Sequence, residues 1–495
     1  MRQETPEVVV TNLIIGGKWT PASGESRYDL CNPARPDELV GCAAMASRED
    51  VDRACKAAHR AFPGWAALSY AERAAYLGRI AEALTADPDE LARRIRLFTR
   101  EHGKILKECE IEMSRLGERF RLAASYAERL ARDETLNGPP FDTLITRQPR
   151  GVAALIVPWN WPLSILGAKL PQALIAGNTV VVKLSPYAPL APALTIRRMA
   201  ELLPPGVINL LTGTTIESGD ALVTHPLVRK INFTGSIEVG KHVMAMAARN
   251  LAHVTLELGG NDAAIVLEDA ELDAAAIQRM VMATFMSAGQ ICMALKRLYV
   301  HQSRYEELVQ AFTAAASRYV IGDGLDPSVT MGPVNNARRH EAVREMVAEA
   351  RARGAEVREV GTVADEGLFA RGYFHRPTIV LTTDHSLRVV RDEQFGPVLP
   401  IIPFRDEREA IRLANDTEFG LCSSVWSRDR DRALGIARQL EAGYTYLNGH
   451  GALAQDHRAP FGGFKHSGIG RNLGYEGVLE FQESHSISGP AGWLL

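Results

Sequence analysis

Cys292 closes the run Ser287-Ala288-Gly289-Gln290-Ile291-Cys292, 35 residues after Glu257 in Leu256-Glu257-Leu258-Gly259-Gly260-Asn261. The cysteine follows a Gly-Gln turn between a helical stretch and a strand-like one. A thiol on a loop can attack a substrate, whereas a core thiol would be inert. Glu257 ends a strand-like run beside two glycines, where backbone can approach a ligand closely and a carboxylate can activate water as a general base. The third group is Asn160, in Val157-Pro158-Trp159-Asn160-Trp161-Pro162. Two prolines and two tryptophans stiffen that loop, and a fixed amide N–H aimed at a carbonyl oxygen is what an oxyanion hole requires. Taken singly, each has a bland reading: a buried structural cysteine, a surface glutamate near a turn, a plain strand-to-helix turn.

A second set of residues suits a nucleotide. Phe233-Thr234-Gly235-Ser236-Ile237-Glu238-Val239-Gly240 reads as a strand, a Gly-Ser turn and a helix start, and helix N-terminal N–H groups with a hydroxyl suit a pyrophosphate. Its G-x-x-x-x-G spacing lacks the lysine of a triphosphate loop and is not the G-x-G-x-x-G dinucleotide fingerprint. The closest approach to that fingerprint, Gly468-Ile469-Gly470, follows no strand and is expected to be loop. In Glu393-Gln394-Phe395-Gly396-Pro397-Val398 an acid and an aromatic two apart can bind ribose hydroxyls and back a flat ring. Lys183, ending Val180-Val181-Val182-Lys183, can reach adenosine ribose or phosphate, or can be a solvated surface lysine.

The elements that must position these groups follow from periodicity. Residues 48–132 carry apolar residues at helical spacing, in Arg48–Phe62, Tyr70–Thr85 and Glu101–Leu130. From Gly151 short apolar runs (Val152–Val157, Thr179–Lys183, Val207–Leu211, Lys230–Phe233, Val254–Leu258) alternate with helical segments (Ile165–Ile175, Pro192–Leu203, Ile216–Val223, Glu238–Arg249). A second series has strands at Ala263–Leu267, Arg297–His301, Thr378–Leu381, Val398–Pro403, Ser423–Trp426 and Tyr444–Leu447, with helices at Leu272–Met286, Arg304–Val320 and Ala337–Arg353. The pattern predicts an α/β protein of two successive doubly wound parallel-sheet domains with a ligand cleft between them. Phe141–Gln148 alternates like a lone exposed strand, Ser484–Ser488 looks alike, and unpaired strands invite another chain, so an oligomer is expected. The apolar tail Ala491-Gly492-Trp493-Leu494-Leu495 either docks on a neighbouring subunit or frays.

At 495 residues the chain exceeds one core, and 46% hydrophobic with 23% charged residues is ordinary for a globular protein. A net charge of −3 argues against nucleic acid or an anionic membrane as partner. The start, with no cationic and apolar leader pattern, and the absence of any run of about 18 apolar residues predict a cytoplasmic protein. Six scattered cysteines (Cys31, Cys42, Cys55, Cys109, Cys292, Cys422) and no His cluster argue against a disulfide scaffold or a metal. The sequon at Asn232 reads as chance.

Taken in order, these segments resemble the aldehyde dehydrogenase superfamily, from Ile15-Gly16-Gly17-Lys18-Trp19 to Pro460-Phe461-Gly462-Gly463-Phe464-Lys465-His466-Ser467-Gly468. The resemblance implies Cys292 as nucleophile, Glu257 as general base, Asn160 with the Cys292 N–H as oxyanion hole, and Lys169 as a nearby lysine. It implies NAD or NADP held by Ile156, Pro158, Trp159, Lys183, Ser185, Gly213, Phe233, Gly235, Ser236, Val239, Leu258, Gly259, Glu393 and Phe395. It implies residues 1–127 with 150–259 as a cofactor-binding domain and 260–459 as a catalytic domain. Residues 128–149 with 477–495 would then be a β oligomerisation element, in a homodimer or homotetramer. An aldehyde would be captured as a thiohemiacetal, oxidised to a thioester and hydrolysed to the acid.

Departures matter as much. Relatives often carry a glutamate three residues after the cofactor lysine; here Pro186 stands there, so a weak preference between NAD and NADP is expected. Many carry a bulky aromatic eight residues past the asparagine; here it is Ala168. With Trp161, Ile165, Ile291, Met293 and Phe461 this implies a roomy apolar pocket for aromatic or medium-chain aliphatic aldehydes. Two alternatives stand beside this reading: a CoA-acylating dehydrogenase, against which Glu257 argues, and a catalytically silent relative, against which the retained Cys292, Glu257 and Asn160 argue.

Overall fold

The computed structural model describes residues 8–494; the first seven residues, on which the leader reading partly falls, and Leu495 of the tail lie outside it. Five strands, Val152–Ile156, Thr179–Lys183, Ile208–Leu211, Val228–Thr234 and His253–Glu257, form the parallel heart of an eight-stranded sheet. Their side chains alternate between two cores: Ala153, Leu155, Val180 and Val182 pack on one face, and Val152, Ala154 and Val181 on the other. Strands buried on both faces read as unbroken apolar runs, which is why this series was legible. The second sheet has seven strands. Its parallel members, in spatial order, are Thr378–Leu381, Val398–Phe404, Arg297–His301, Ala263–Val266, Cys422–Trp426 and Tyr444–Leu447, and the short Glu356–Glu359 adds antiparallel at one edge. Ala264, Val266, Leu298 and Val300 face one core there, and Ala263, Ile265 and Tyr299 the other.

Several expectations are corrected. The helix expected over Ile165–Ile175 breaks into Pro162–Gly167 and Leu170–Ile175. Lys169 at the break has φ −129° and ψ −52°, and Pro171 two residues on has no N–H to continue the helical ladder. The stretch expected as continuing helix over Glu101–Leu130 is divided among helices at Pro88–His102, Leu106–Ser114, Leu116–Ser125 and Ala127–Leu130. Gly103, at φ +92°, ends the first of them in the left-handed conformation that suits glycine. Gly468–Ile469, expected as loop, is a short strand pairing antiparallel with the Glu257 strand, with Glu257 opposite Gly468.

The two strands expected to be lone are not. Phe141–Pro149 pairs along its whole length with Gln482–Pro490, Phe141 opposite Pro490 and Pro149 opposite Gln482, and Glu134–Leu136 completes a three-stranded sheet. The tail folds back on this sheet, with Ala491 N on Pro140 O at 3.2 Å and Trp493 left 78% exposed.

The N-terminal strands Leu13–Ile15 and Lys18–Thr20 extend the first sheet antiparallel beyond Ile208–Leu211. Asn209, itself fully buried, pins them: its Oδ1 accepts from the half-buried Gly16 N at 2.9 Å and its Nδ2 donates to Gly206 O at 2.8 Å. Asn209→Ala, by leaving Gly16 N unpaired, is expected to destabilise the chain by about 1–3 kcal/mol. The measurement is the thermal midpoint by scanning calorimetry, and an unshifted midpoint contradicts this account.

Candidate functional site

The C-terminal ends of the first sheet are brought level by register. Leu256 lies opposite Phe233, Phe233 opposite Ile156, Ile156 opposite Lys183, and Lys183 opposite Leu211. The loops that follow this row, at Val157–Trp161, Gly213, Gly235–Ser236 and Leu258–Gly260, therefore open on one edge, where parallel sheets hold ligands. The second sheet supplies the opposite wall. Its loop between the helix Ala274–Phe285 and the strand Arg297–His301 carries Cys292.

That loop is bent by three consecutive left-handed residues, Ser287 (φ +54°), Ala288 (φ +52°) and Gly289 (φ +71°). Two of them have side chains, so the turn is strained and must be held. Buried Glu108 takes the Ser287 N–H at 2.6 Å. Gln290 Oε1 accepts from Asn335 N at 2.9 Å, and Lys296 Nζ donates to Cys292 O at 2.7 Å. Gln290 O in turn accepts from Asn160 Nδ2 at 3.0 Å, which ties the asparagine loop to the cysteine loop. Lys104 Nζ reaches Asn160 O at 3.3 Å and is itself paired with Glu112, whose other oxygen takes the N–H groups of Leu163 and Ser164.

Cys292, Glu257, Asn160 and Lys169 line one cavity of about 140 Å³, together with Trp161, Ile165, Ala168, Ile291, Met293 and Phe461. All ten residues were named from sequence, and the fold brings them together. Burial sets the charges. The Cys292 thiol is pushed up to about 12 by burial, against the pull of Lys296. Glu257 is pushed up to about 8 by burial, and Lys169 falls to about 8 for the same reason, each partly corrected by the other's charge.

The residues expected to hold a nucleotide fall into two groups. Glu393 Oε1 accepts from Lys296 Nζ at 2.6 Å and Gly260 N at 3.1 Å, and a Cβ on Gly259 would sit 2.5 Å from its other oxygen. Phe395, at φ +46°, sets its ring edge-on to Trp159 at 5.6 Å. These four make one corner of the cleft. Along the sheet edge Lys183 is nearly buried, its Nζ donating to Gly213 O at 3.2 Å, and burial alone draws its amine down to about 8. Ser185 Oγ accepts weakly from Tyr187 N, and Pro158 and Leu258 are the residues by which the chain leaves its strands. The Gly235 N–H is taken by Glu257 O at 3.1 Å, and Ser236 caps the helix Ile237–Ala247 by accepting from Val239 N. What remains there for an anion is the helix's first turn, whose N–H groups lack intrahelical carbonyls.

The profile of the aldehyde dehydrogenase family matches residues 19–487. The chain belongs to the aldehyde dehydrogenase family. A geranial dehydrogenase of Castellaniella defragrans is 38% identical over 481 residues, 96% of this chain and 98% of its own. A succinate-semialdehyde dehydrogenase [NADP(+)] of Escherichia coli is 36% identical over 474 residues, 95% of this chain and 96% of its own. The crystal structure of betaine aldehyde dehydrogenase from Staphylococcus aureus in complex with NAD+ superposes with a TM-score of 0.90 at 32% identity, covering 98% of this chain and 95% of that one. This aldehyde dehydrogenase is thus an oxidoreductase acting on aldehydes. Among its described residues no helix is long and apolar enough to cross a membrane, and no group of His, Cys, Asp and Glu is placed to hold a metal ion.

Sequence reasoning missed the amides behind the carboxylate of this dehydrogenase. Lys169 Nζ donates to Asn232 Oδ1, Asn232 Nδ2 donates to Asn472 Oδ1 at 2.7 Å, and the Asn472 amide supports the Glu257 carboxylate. A signal existed at Asn232, a polar residue inside an apolar strand that must find a buried partner, but it was read as a chance sequon. Lys104, Glu108 and Glu112 gave none, since charges on a helix usually face water.

The raised Glu257 carboxyl has a consequence for stability. In the folded chain it keeps its proton to about pH 8, against an ordinary value of 4.5, so the folded state binds more protons across that window and stability falls as pH rises through it. Removing the ionisation should therefore help most at high pH. The thermal midpoint of Glu257→Gln, relative to the parent chain, is expected to climb between pH 5 and pH 9; a constant difference contradicts the burial of this carboxyl.

Proposed function

We propose that this enzyme oxidises medium-chain aliphatic or aromatic aldehydes to carboxylic acids, with NAD or NADP, through a thioester on Cys292. The observation that carries this reading is the single apolar-walled cavity in which Cys292, Glu257 and Asn160 converge. Related enzymes are described with either cofactor, NAD+ in the betaine aldehyde dehydrogenase complex and NADP+ in the name of the succinate-semialdehyde enzyme. The residues fit such a cofactor: Lys183 is a nearly buried cation whose pKa is lowered with no carboxylate among the causes, and Glu393 stands beside Phe395 and Trp159 at the cleft corner.

At rest Cys292 is a neutral thiol, because burial has raised it to about 12. The carboxylate form of Glu257, in the same cavity, accepts its proton as sulfur bonds to the aldehyde carbon. Asn160 gives one N–H to Gln290 O and turns its second on the oxyanion, with the Cys292 N–H as partner. NAD(P)+, when held by Lys183 and Glu393, would supply the hydride acceptor that this oxidation requires. Glu257 gives that first proton up to solvent and then takes one from water, whose oxygen adds to the thioester carbon; the acid leaves and the thiolate regains a proton from Glu257. One aldehyde, one water and one NAD(P)+ give one carboxylate, one NAD(P)H and two protons. Lys169 and the two asparagines hold the carboxylate toward the cavity. Residues 150–259 carry the cofactor face and 260–459 the nucleophile, and the small sheet of 128–149 and 477–494 is the surface offered to a second copy.

Cys292→Ala is expected to form no NAD(P)H from any aldehyde. Glu257→Gln is expected to turn over at least ~100-fold more slowly and without a burst of NAD(P)H, because thiol capture and hydrolysis have both lost their base. In the parent chain turnover should rise with pH toward about 8 as Glu257 ionises. A Glu257→Gln variant that turns over like the parent sinks the proposed hydrolysis. Substrate and cofactor are tested by kcat/KM. Octanal or benzaldehyde should exceed succinate semialdehyde, and the preference between NAD and NADP should stay under about a thousandfold, since Pro186 offers neither a hydroxyl acceptor nor a repelling charge.

A further inference from the structure

The apolar cavity does not end in apolar residues. At its outer side the lining includes Arg115, Glu118, Arg119, Gln455 and His457, and Glu118, Arg119, Gln455 and His457 also line the open depression outside it, so these four stand at the passage between the two. Arg119 lies on the helix Leu116–Ser125, and its stem packs on Gly167, where a Cβ would come within 3.0 Å of the arginine Cγ. That contact fixes the stem and holds the guanidinium at the rim. Its Nη1 is buried and has no hydrogen-bond partner. Among the described residues neither Arg115 nor Arg119 is in an ion pair, although Glu118 is adjacent. The nearby Asp456 is already held by Arg458 at 2.6 Å. Arg115 and Arg119 are four residues apart on one helical face, a like-charge spacing that is unfavourable unless an anion lies between them. Burial draws the Arg119 guanidinium down to about 10, against the pull of Glu118 and with a smaller push from Arg115, which still leaves it charged at neutral pH.

We propose that Arg119, assisted by Arg115, receives a carboxylate at the far end of the substrate, so that the preferred aldehydes are medium-chain ω-carboxy aldehydes. This rests on the function proposed above and specifies its substrate. The apolar walls from Cys292 outward take the methylene chain. A short semialdehyde would have to leave its charge among Trp161, Ile165 and Phe461, where burying an unpaired charge is costly. A longer one places the charge at the rim, where Arg119 Nη1 lacks a hydrogen-bond partner.

The test compares octanal with 8-oxooctanoate, which differ by one terminal carboxylate, on the purified full chain. The parent enzyme is expected to favour 8-oxooctanoate by at least about tenfold in kcat/KM, with the difference in KM, because the contact is made equally in ground and transition states. Arg119→Gln is expected to reduce the ratio of the two kcat/KM values by about tenfold or more, and Arg119→Lys to restore part of it. A merely structural role would lower both substrates together and leave the ratio unmoved, which would overturn the proposal. So would a parent enzyme that treats the two alike. If octanal is oxidised without any preference, only this inference falls; if neither aldehyde is oxidised, the proposed function falls with it.

Discussion

The site depends on one buried carboxylate under one strained turn. Ser287 and Ala288 are held at positive φ, and the Ser287 N–H is given to Glu108, itself pushed up to about 7 by burial. Without that acceptor the turn would relax toward ordinary backbone, carrying with it the Gln290 carbonyl on which Asn160 rests. The same cavity is bordered by Leu473 at φ +60°, and Phe395 at φ +46° stands at the cleft corner. Left-handed residues with side chains cost roughly 1–3 kcal/mol each and persist where the surroundings over-determine them. Here the surroundings are two packed sheets, one on each side of the cleft.

Burial pushes four ionisable groups of the cleft, Cys292, Glu257, Lys169 and Lys183, toward their neutral forms. The thiol and the carboxyl are raised, and the two lysines are lowered. Charge in the cavity is therefore created during the reaction and met by dipoles already in place, the Asn160 amide among them. Such dipoles need not reorganise as charge develops. The amide chain from Lys169 through Asn232 and Asn472 belongs to the same design, because an amide can link a cation to a carboxyl without adding a charge of its own.

What the sequence disclosed was local. Runs such as Val180-Val181-Val182 are strands because both faces are buried, and residues at their ends were therefore read as ligands of a cleft. Asn160 follows and Glu257 ends such a strand, and Cys292 lies in the loop that leads into one. What it concealed was set by partners far away in the chain. The strand at Phe141–Pro149 looked lone because Gln482–Pro490 lies more than 300 residues on. Gly468–Ile469 looked like loop because two residues carry no periodicity. Glu108 and Glu112 looked like the wet side of a helix until another segment covered them. Arg119 was indistinguishable from any surface arginine until Gly167 and the cavity rim were seen beside it.

The strand that bears Glu257 is flanked on one side by Val228–Thr234 and on the other by Gly468–Ile469, and Asn472 belongs to the same late segment. The bracing of that carboxyl therefore joins residues 240 positions apart, Asn232 and Asn472, and is complete only when the late segment has closed onto the first sheet.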